Sequence, residues 1–316
     1  MSVAAAAAAN ASSAVPTIPN DAILGSVTID ALVLMRIIKH CNESPNATGH
    51  ILGFQTPDPT QANTIVSNLS HCYALPNLGA ISNNNSWGFS ISPAQIRDDK
   101  IAYSSSMLDA LVDFNVEANV FGLYRAIQFG EVVSFEVIDD FLALEHPTAT
   151  MITYDPIRSQ HGAAALRAFR ISKEFLSLSA AKDIRRIPSE DYAKAGLTFD
   201  NIFEEIPLTI RNSALVSAFL FDMPNKTNLS QLSLPDNVYF ERVIDALADR
   251  INDQTHLTAS MRQYGGRYLH NKKAVTEESR LNALLQCTQI ESYCKQVSQF
   301  AGQALPKLFL AKGDSQ

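Results

Sequence analysis

Charge is sparse in this chain, and what there is leans acidic. Lys and Arg number 25 against 32 Asp and Glu, for a net charge of −7, and charged residues make up 18% of 316. Nucleic-acid-binding domains neutralise phosphates with clustered Lys and Arg, so that class is not the default reading. Cysteine is equally thin. The four thiols, Cys41, Cys72, Cys287 and Cys294, contain no CxxC pair, which removes the usual framework of a structural zinc site. Cys287 and Cys294 share a helical pattern; at about 1.5 Å rise per residue they stand about 10 Å apart, beyond the roughly 7 Å a disulfide spans. Free thiols suit a reducing compartment, and a cytoplasmic protein is expected.

Other absences close further classes. GxGxxG and GxxxxGKS do not occur, so no nucleotide-binding loop is read, and GxSxG does not occur, so no hydrolase elbow is read. No apolar run reaches the ~18 residues of a membrane span. The Ala-rich start, MSVAAAAAANASSAV, lacks the basic and Leu-rich regions of a signal peptide; residues 1–25 are read as a disordered tail. The Asn-x-Ser/Thr triplets at Asn68 and Asn225 matter only in a secreted protein.

What remains is an ordinary globular composition, 46% hydrophobic, long enough for one large domain and an appendage. Val27 to Ile29 reads as a strand. Asp30 then looks like an N-cap for a helix from Ala31 to Cys41. Further strands are expected at His50–Phe54, Thr64–Leu69, Cys72–Leu75, Asn119–Tyr124, Thr150–Tyr154 and Ala165–Ile171, with a short one at Leu197–Phe199. Phe203–Ile210 reads as one strand, which Pro207 would confine to an edge. Helices are expected after Ser92, from Glu136 to Leu144, and from Asn212. Asn77–Ser90 is an Asn-rich loop. Beyond the turn-rich segment 223–238 the strand pattern stops. Phe240, Val243, Ile244, Leu247 and Ile251 carry a helical period, interrupted later at Gly265-Gly266. From Glu277 a second period follows: Leu281, Leu284 and Leu285, then Ile290, Tyr293, Val297, Phe300, Ala304 and Leu308 at near-heptad spacing, with a kink expected at Pro306. One chain is not expected to cover that stripe alone, so these nine residues are expected to bind partners in a multi-chain bundle. The helix Ala31–Cys41 is apolar nearly all round. Its second side is expected to need a cover, either the helix from Asn212 or another protein.

The run FGLYRAIQFGEVVSFEVID, Phe121 to Asp139, resembles the site strand of the metal-dependent isopeptidases of the MPN/JAMM class. There the strand ends in His-x-His-Pro, an Asp follows about ten residues later, and an earlier Glu acts as base on a zinc-bound water. In this chain the two His positions fall on Arg125 and Ile127, the Asp near Ile138 and the Glu near Asn46. Asp139, Asp140 and Glu43 stand out of register. Isoleucine has no lone pair and Arg stays protonated. No metal, cofactor or catalytic residue is therefore expected, and the chain is not expected to be an enzyme. His146 precedes a proline but lacks a second His two places before it, and His161 lies in a hairpin loop; neither is expected to ligate. The basic clusters Lys182, Arg185, Arg186 and Arg262, Arg267, Lys272, Lys273, the second interleaved with Tyr264 and Tyr268, read as solvated faces.

A longer resemblance covers nearly everything from Val27 to Lys312. IDALVLMRIIKH, MITYDPIRSQHGAAALRAFRIS, IFEEIPLTIRNSALV and QIESYCKQVSQFAGQALPKLFLAK occur in the order and spacing of the h-subunit family of eukaryotic translation initiation factor 3, which this chain resembles. The resemblance implies an α/β fold: an MPN domain at 26–222 with a mixed central sheet flanked by helices and no metal ligands. It implies a linker at 223–238 and an α-helical extension at 239–312 that joins the factor's helical bundle. It also implies pairing with the factor's other MPN-domain protein, its f subunit, contact with the small ribosomal subunit through the complex, and a structural role in translation initiation. Signalosome and proteasome-lid scaffold subunits share the MPN domain and stand as the alternative, an active JAMM isopeptidase as the remoter one. The last of the four blocks favours the initiation factor.

Overall fold

The computed structural model describes residues 23–58, 64–76, 93–116, 119–128, 134–144, 146, 148–160, 165–181, 187, 189–222, 237–267 and 277–313. Among them, eight strands form one sheet: β1 Ile23–Asp30, β2 Thr48–Pro57, β3 Thr64–Ala74, β4 Val120–Ala126, β5 Thr150–Tyr154, β6 Leu166–Ile171, β7 Phe203–Ile206 and β8 Leu208–Arg211. The helices are α1 Ala31–Glu43, α2 Pro93–Asp113, α3 Phe135–Ala143, α4 Pro156–Gln160, α5 Lys173–Ala181, α6 Ser189–Lys194, α7 Ala214–Asp222, α8 Asn237–Arg267 and α9 Glu277–Gly313. Residues 1–22 of the expected tail, the Asn-rich loop, residues 223–236 of the expected linker, His161, Lys182, Arg185, Arg186, Tyr268, Lys272 and Lys273 lie outside the described residues, as does the N-cap expected at Ser92; the last three residues of the expected tail open β1 and the last two of the expected linker open α8.

The sheet order is β7-β6-β5-β4-β2-β3-β1-β8. It is mixed, as expected: β1 runs parallel to β3 and β8, β4 runs parallel to β5, and the remaining pairs are antiparallel. Phe203–Ile210 is not one edge strand. Proline cannot donate to a ladder, and the chain changes partner at Pro207: β7 pairs with β6 at one end of the order, β8 with β1 at the other. A single residue joins the two ends, so the sheet must curl until its edges meet. Val27 N donates to Pro207 O at 3.0 Å, and Arg170 Nη1 of β6 donates to Leu24 O of β1 at 2.8 Å across the seam.

The curl divides the core in two. Inside lie Leu24, Val27, Ile29, Ile51, Leu69, Tyr124, Ile152, Tyr154, Ala168 and Ile206, drawn from both ends of the strand order, and α1 adds Val33, Ile37 and Cys41. Those three recur every fourth residue and so share one helix face. Outside, Leu123, Ile127, Met151, Phe169 and Ile171 meet Val137, Ile138 and Phe141 of α3, Phe175 of α5 and Tyr192 of α6. β5, TMITY, is buried along its whole length because both of its faces are covered. Asp30 does not cap α1 with its side chain; it ends β1 and pairs with Arg211 Nε at 3.4 Å. Thr64–Leu69 and Cys72–Leu75 merge into β3, opposite a register shift between Leu52 and Gly53. Leu197–Phe199 is not a strand: Leu197 plugs the outer core while Phe199 is exposed.

α8 and α9 form a helical hairpin. Tyr239 meets Phe300 with ring centroids 5.2 Å apart, and Gln254 Nε2 donates to Cys287 Sγ at 3.4 Å. The number rises on one helix as it falls on the other, so the pair is antiparallel. α8 runs through Gly265 and Gly266 to Arg267, and α9 runs through Pro306.

Candidate functional site

β4 carries the positions that the isopeptidase resemblance singles out. Ala126 N donates to Ala47 O at 2.8 Å and Ile127 N to Tyr154 O at 2.9 Å, which holds the strand end between the start of β2 and the end of β5. Ile127 is buried in the outer core beside Ile138, which is wholly buried. Arg125 reaches Glu136, in the first turn of α3, at 3.4 Å. Lys100, Arg125, Glu136 and Asp139 are the charged neighbours of Asp140. Asn46 is exposed between α1 and β2, and Glu43 pairs with Lys39 at 3.9 Å. Two packed isoleucines and a guanidinium cannot ligate zinc, so the residues present do not fit that ion. Among the described residues no three His, Cys, Asp or Glu side chains come together as a metal would require.

The described histidines near this end of the sheet serve packing and hydrogen bonding. His146 stands edge-on to Phe121 at 4.9 Å, and its Nδ1 lies 3.1 Å from Thr148 Oγ1, which also accepts from Gln55 at 2.6 Å. His50 Nδ1 lies 2.7 Å from Tyr73 Oη and 3.3 Å from Ser104 Oγ, and Tyr73 and Ser104 are 2.7 Å apart. This triangle pins α2 to β2 and β3. Burial, with Lys100 adding to it, lowers the His50 pKa to about 4, so the ring is neutral near pH 7. His40 Nδ1 meets Tyr124 Oη at 2.8 Å, tying the end of α1 to β4.

The nine-residue stripe on α9 is divided by the fold. Leu281 and Leu285 complete the outer core of the sheet, with Leu284 packed against it. Tyr293 and Phe300 pack with Tyr239 and Val243 of α8, and Val297 joins them. Ile290 and Ala304 are half-buried, and Leu308 is exposed. The expectation that the whole stripe serves other chains is corrected accordingly: the chain covers it through Phe300 because α8 and the outer sheet core supply the missing apolar surface. Exposed apolar residues gather past that point, at Leu305, Leu308, Phe309 and Leu310.

A second exposed apolar surface is stronger. On α7, ALVSAFLFD, Leu215 is 84% exposed, Phe219 65% and Phe221 93%. α1 leaves Leu32 and Met35 exposed. β1 and β8 are parallel neighbours paired as far as Asp30 and Arg211, so α1 and α7 leave the same end of the sheet. Neither buries the other's open residues, so the in-chain cover considered for α1 is not made.

Residues 159–276 match the family model described as C-terminal region of eIF3h. The stretch takes in β6 to β8, α7 and α8. Matches to named proteins run almost end to end. The chain is 26% identical over 325 residues to the H subunit of eukaryotic translation initiation factor 3 from Dictyostelium discoideum, covering 92% of this chain and 94% of that protein. It is 24% identical over 336 residues to the H-B subunit from Danio rerio, covering 92% and 94%, and 27% identical over 361 residues to the H subunit from Emericella nidulans, covering 92% and 96%. Over nearly its whole length the chain is similar to initiation factor 3 H subunits. The open apolar helix α7 lies inside the stretch matched by the family model, while the packed β4 positions lie outside it. No helix among the described residues is long and apolar enough to cross a membrane.

Sequence reasoning missed the seam at Pro207 and the polar contacts of Arg158 and Arg167 with α9. The seam has a sequence signal, a proline between two four-residue strand patterns. The arginine contacts have none, because they depend on where a distant helix lands.

Proposed function

We propose that this chain is a non-catalytic structural subunit of a translation initiation factor 3 complex, supporting its assembly on the small ribosomal subunit and acting in the cytoplasm. The end-to-end similarity to the initiation factor 3 H subunits, over 92% of this chain and 94% of the Dictyostelium relative, carries the reading. In this reading residues 26–222 are an MPN domain without metal ligands, and the helices beyond residue 239 contribute to the complex's helical bundle. Arg125 and Ile127 at the former ligand positions support an assembly role over hydrolysis. The open residues of α1 and α7, Leu32, Met35, Leu215, Val216 and Phe219, are the natural place for pairing with a second MPN protein, the factor's f subunit being the expected partner. The outer turns of α9, with Leu305 and Leu308, are the natural place for the bundle.

The test is sedimentation of extracts containing the tagged chain under conditions that preserve initiation complexes. Comigration with the small ribosomal subunit, lost when initiation factor 3 is dissociated by salt, is expected. A chain found only at its monomer position would overturn the proposal.

A further inference from the structure

Several polar contacts that join α9 to the sheet domain share one helix face. Thr288 Oγ1 donates to Phe199 O at 2.6 Å. Arg167 Nη1 of β6 donates to Ser292 Oγ at 3.4 Å. Lys295 Nζ lies 3.6 Å from Asp200 Oδ1. Arg158 Nη2 of α4 donates to Gln299 Oε1 at 3.1 Å. The α9 positions are 288, 292, 295 and 299, spaced four, three and four residues apart, which places them in a row on the helix surface. Their partners come from three separate places: the turn before β7, β6, and α4.

The arginines are themselves held. Arg167 grips Glu205 of β7 with Nε at 2.9 Å and Nη2 at 2.7 Å and lies over the Phe169 ring, 4.9 Å from its centroid. Arg158 lies 5.9 Å from the centroid of the Phe300 ring. A forked guanidinium fixed by a carboxylate presents its remaining donors in a set direction. The buried positions Leu281, Leu285, Gln289, Tyr293, Gln296 and Phe300 run alongside the polar row. Apolar burial supplies attraction, but it tolerates sliding and rotation between smooth surfaces. Directional polar contacts penalise the wrong registers.

We propose that the row Thr288, Ser292, Lys295 and Gln299 is a register device that fixes α9 against the sheet domain, making the chain a rigid bracket between the apolar end at Leu305–Leu310 and the apolar helix α7. Arg158 and Arg167 act as positioning residues in it. The consequence is geometric. A partner docked on one of the two faces stands at a set distance and angle from a partner docked on the other. The device belongs to the chain alone and holds whichever assembly the chain joins.

The test is a distance distribution from paired spin labels on the full chain. The labels are carried on unnatural amino acids replacing Lys39 of α1 and Gln303 of α9, both exposed, so the native thiols stay in place. The unaltered chain should give one narrow distribution. The variant combining Thr288→Ala, Ser292→Ala, Lys295→Ala and Gln299→Ala leaves the apolar row intact and keeps good helix formers throughout. It should give a broadened or shifted distribution at unchanged helix content. Ser298→Ala, an exposed change off the row, should leave the distribution as it was. If the fourfold variant loses cooperative unfolding, Ser292→Ala with Gln299→Ala is the reading variant. A distribution in the fourfold or double variant as narrow and as centred as that of the unaltered chain would overturn the proposal.

Discussion

At the scale of single residues, the site is defined by what occupies it. Arg125 and Ile127 stand where the isopeptidase resemblance requires imidazoles, and Ile127 and Ile138 are core residues. The purified chain should therefore hold no stoichiometric zinc after dialysis against a weak chelator; elemental analysis showing one zinc per chain would contradict this. His50 offers a pH test. Its folded pKa is depressed to about 4 from the ordinary 6.5, so the unfolded state binds the proton more readily. Its contribution to stability is whole above about pH 6.5 and is lost as pH falls toward 4. The linkage limit is about 3 kcal/mol for a shift of that size. Denaturant titrations from pH 7 to pH 4 should show that loss, and His50→Gln should flatten it. Gly49 is a packing constraint of another kind: a Cβ there would lie 2.3 Å from Tyr124 Cε1 and 2.3 Å from Tyr73 O. Gly49→Ala should cost about 1–3 kcal/mol, read as a lower denaturant midpoint.

At the scale of elements, periodicity exposed most of the fold and hid its closure. β5 and α1 could be read as elements from β-branched and aromatic residues at Thr150–Tyr154 and from the apolar run after Asp30, but the buried face of α1, Val33, Ile37 and Cys41, could not, because the helix is apolar nearly all round. Asn212–Leu220 could be read as a helix, but its surroundings could not. On sequence the helix from Asn212 is a candidate cover for α1, yet Leu215 and Phe219 are open in the structure, because apolar spacing reports that a face wants cover, not whether the same chain supplies it. The α9 stripe gave the opposite error for the same reason. Tyr293 and Phe300 look available and are taken by α8. The two faces therefore respond differently to substitution. Leu215→Glu with Phe219→Glu should leave the thermal midpoint of the isolated chain nearly unchanged, since neither residue is buried, and should abolish association with a partner MPN domain. Leu285→Ala should destabilise the isolated chain by about 2–5 kcal/mol, since it removes a side chain from the outer sheet core. A fall in midpoint for the α7 pair equal to that of Leu285→Ala would show that α7 is covered within the chain after all.

At the scale of the whole molecule, the sheet domain and the hairpin are not separable pieces. Leu281 and Leu285 enter the same core as Phe175 and Ile138, so a chain ended at residue 222 loses part of its own interior. Among the described residues, large exposed apolar side chains gather on α7 with α1, on the last turns of α9, and on α2 with Phe114, where Ile101 and Val112 are also open. A monomer leaves such surface uncovered only at a cost in solubility, which is the physical reason to read the chain as one member of an assembly. The relatives it resembles are named as initiation factor 3 subunits, which is the assembly proposed for it. The most direct test is affinity purification of the tagged full chain from its own cells under gentle salt, with the recovered proteins identified by mass spectrometry. The account predicts initiation factor 3 subunits in near-equal amounts with the chain, accompanied by small-subunit ribosomal proteins. Recovery with signalosome or proteasome-lid subunits instead, or of the chain by itself, would contradict it.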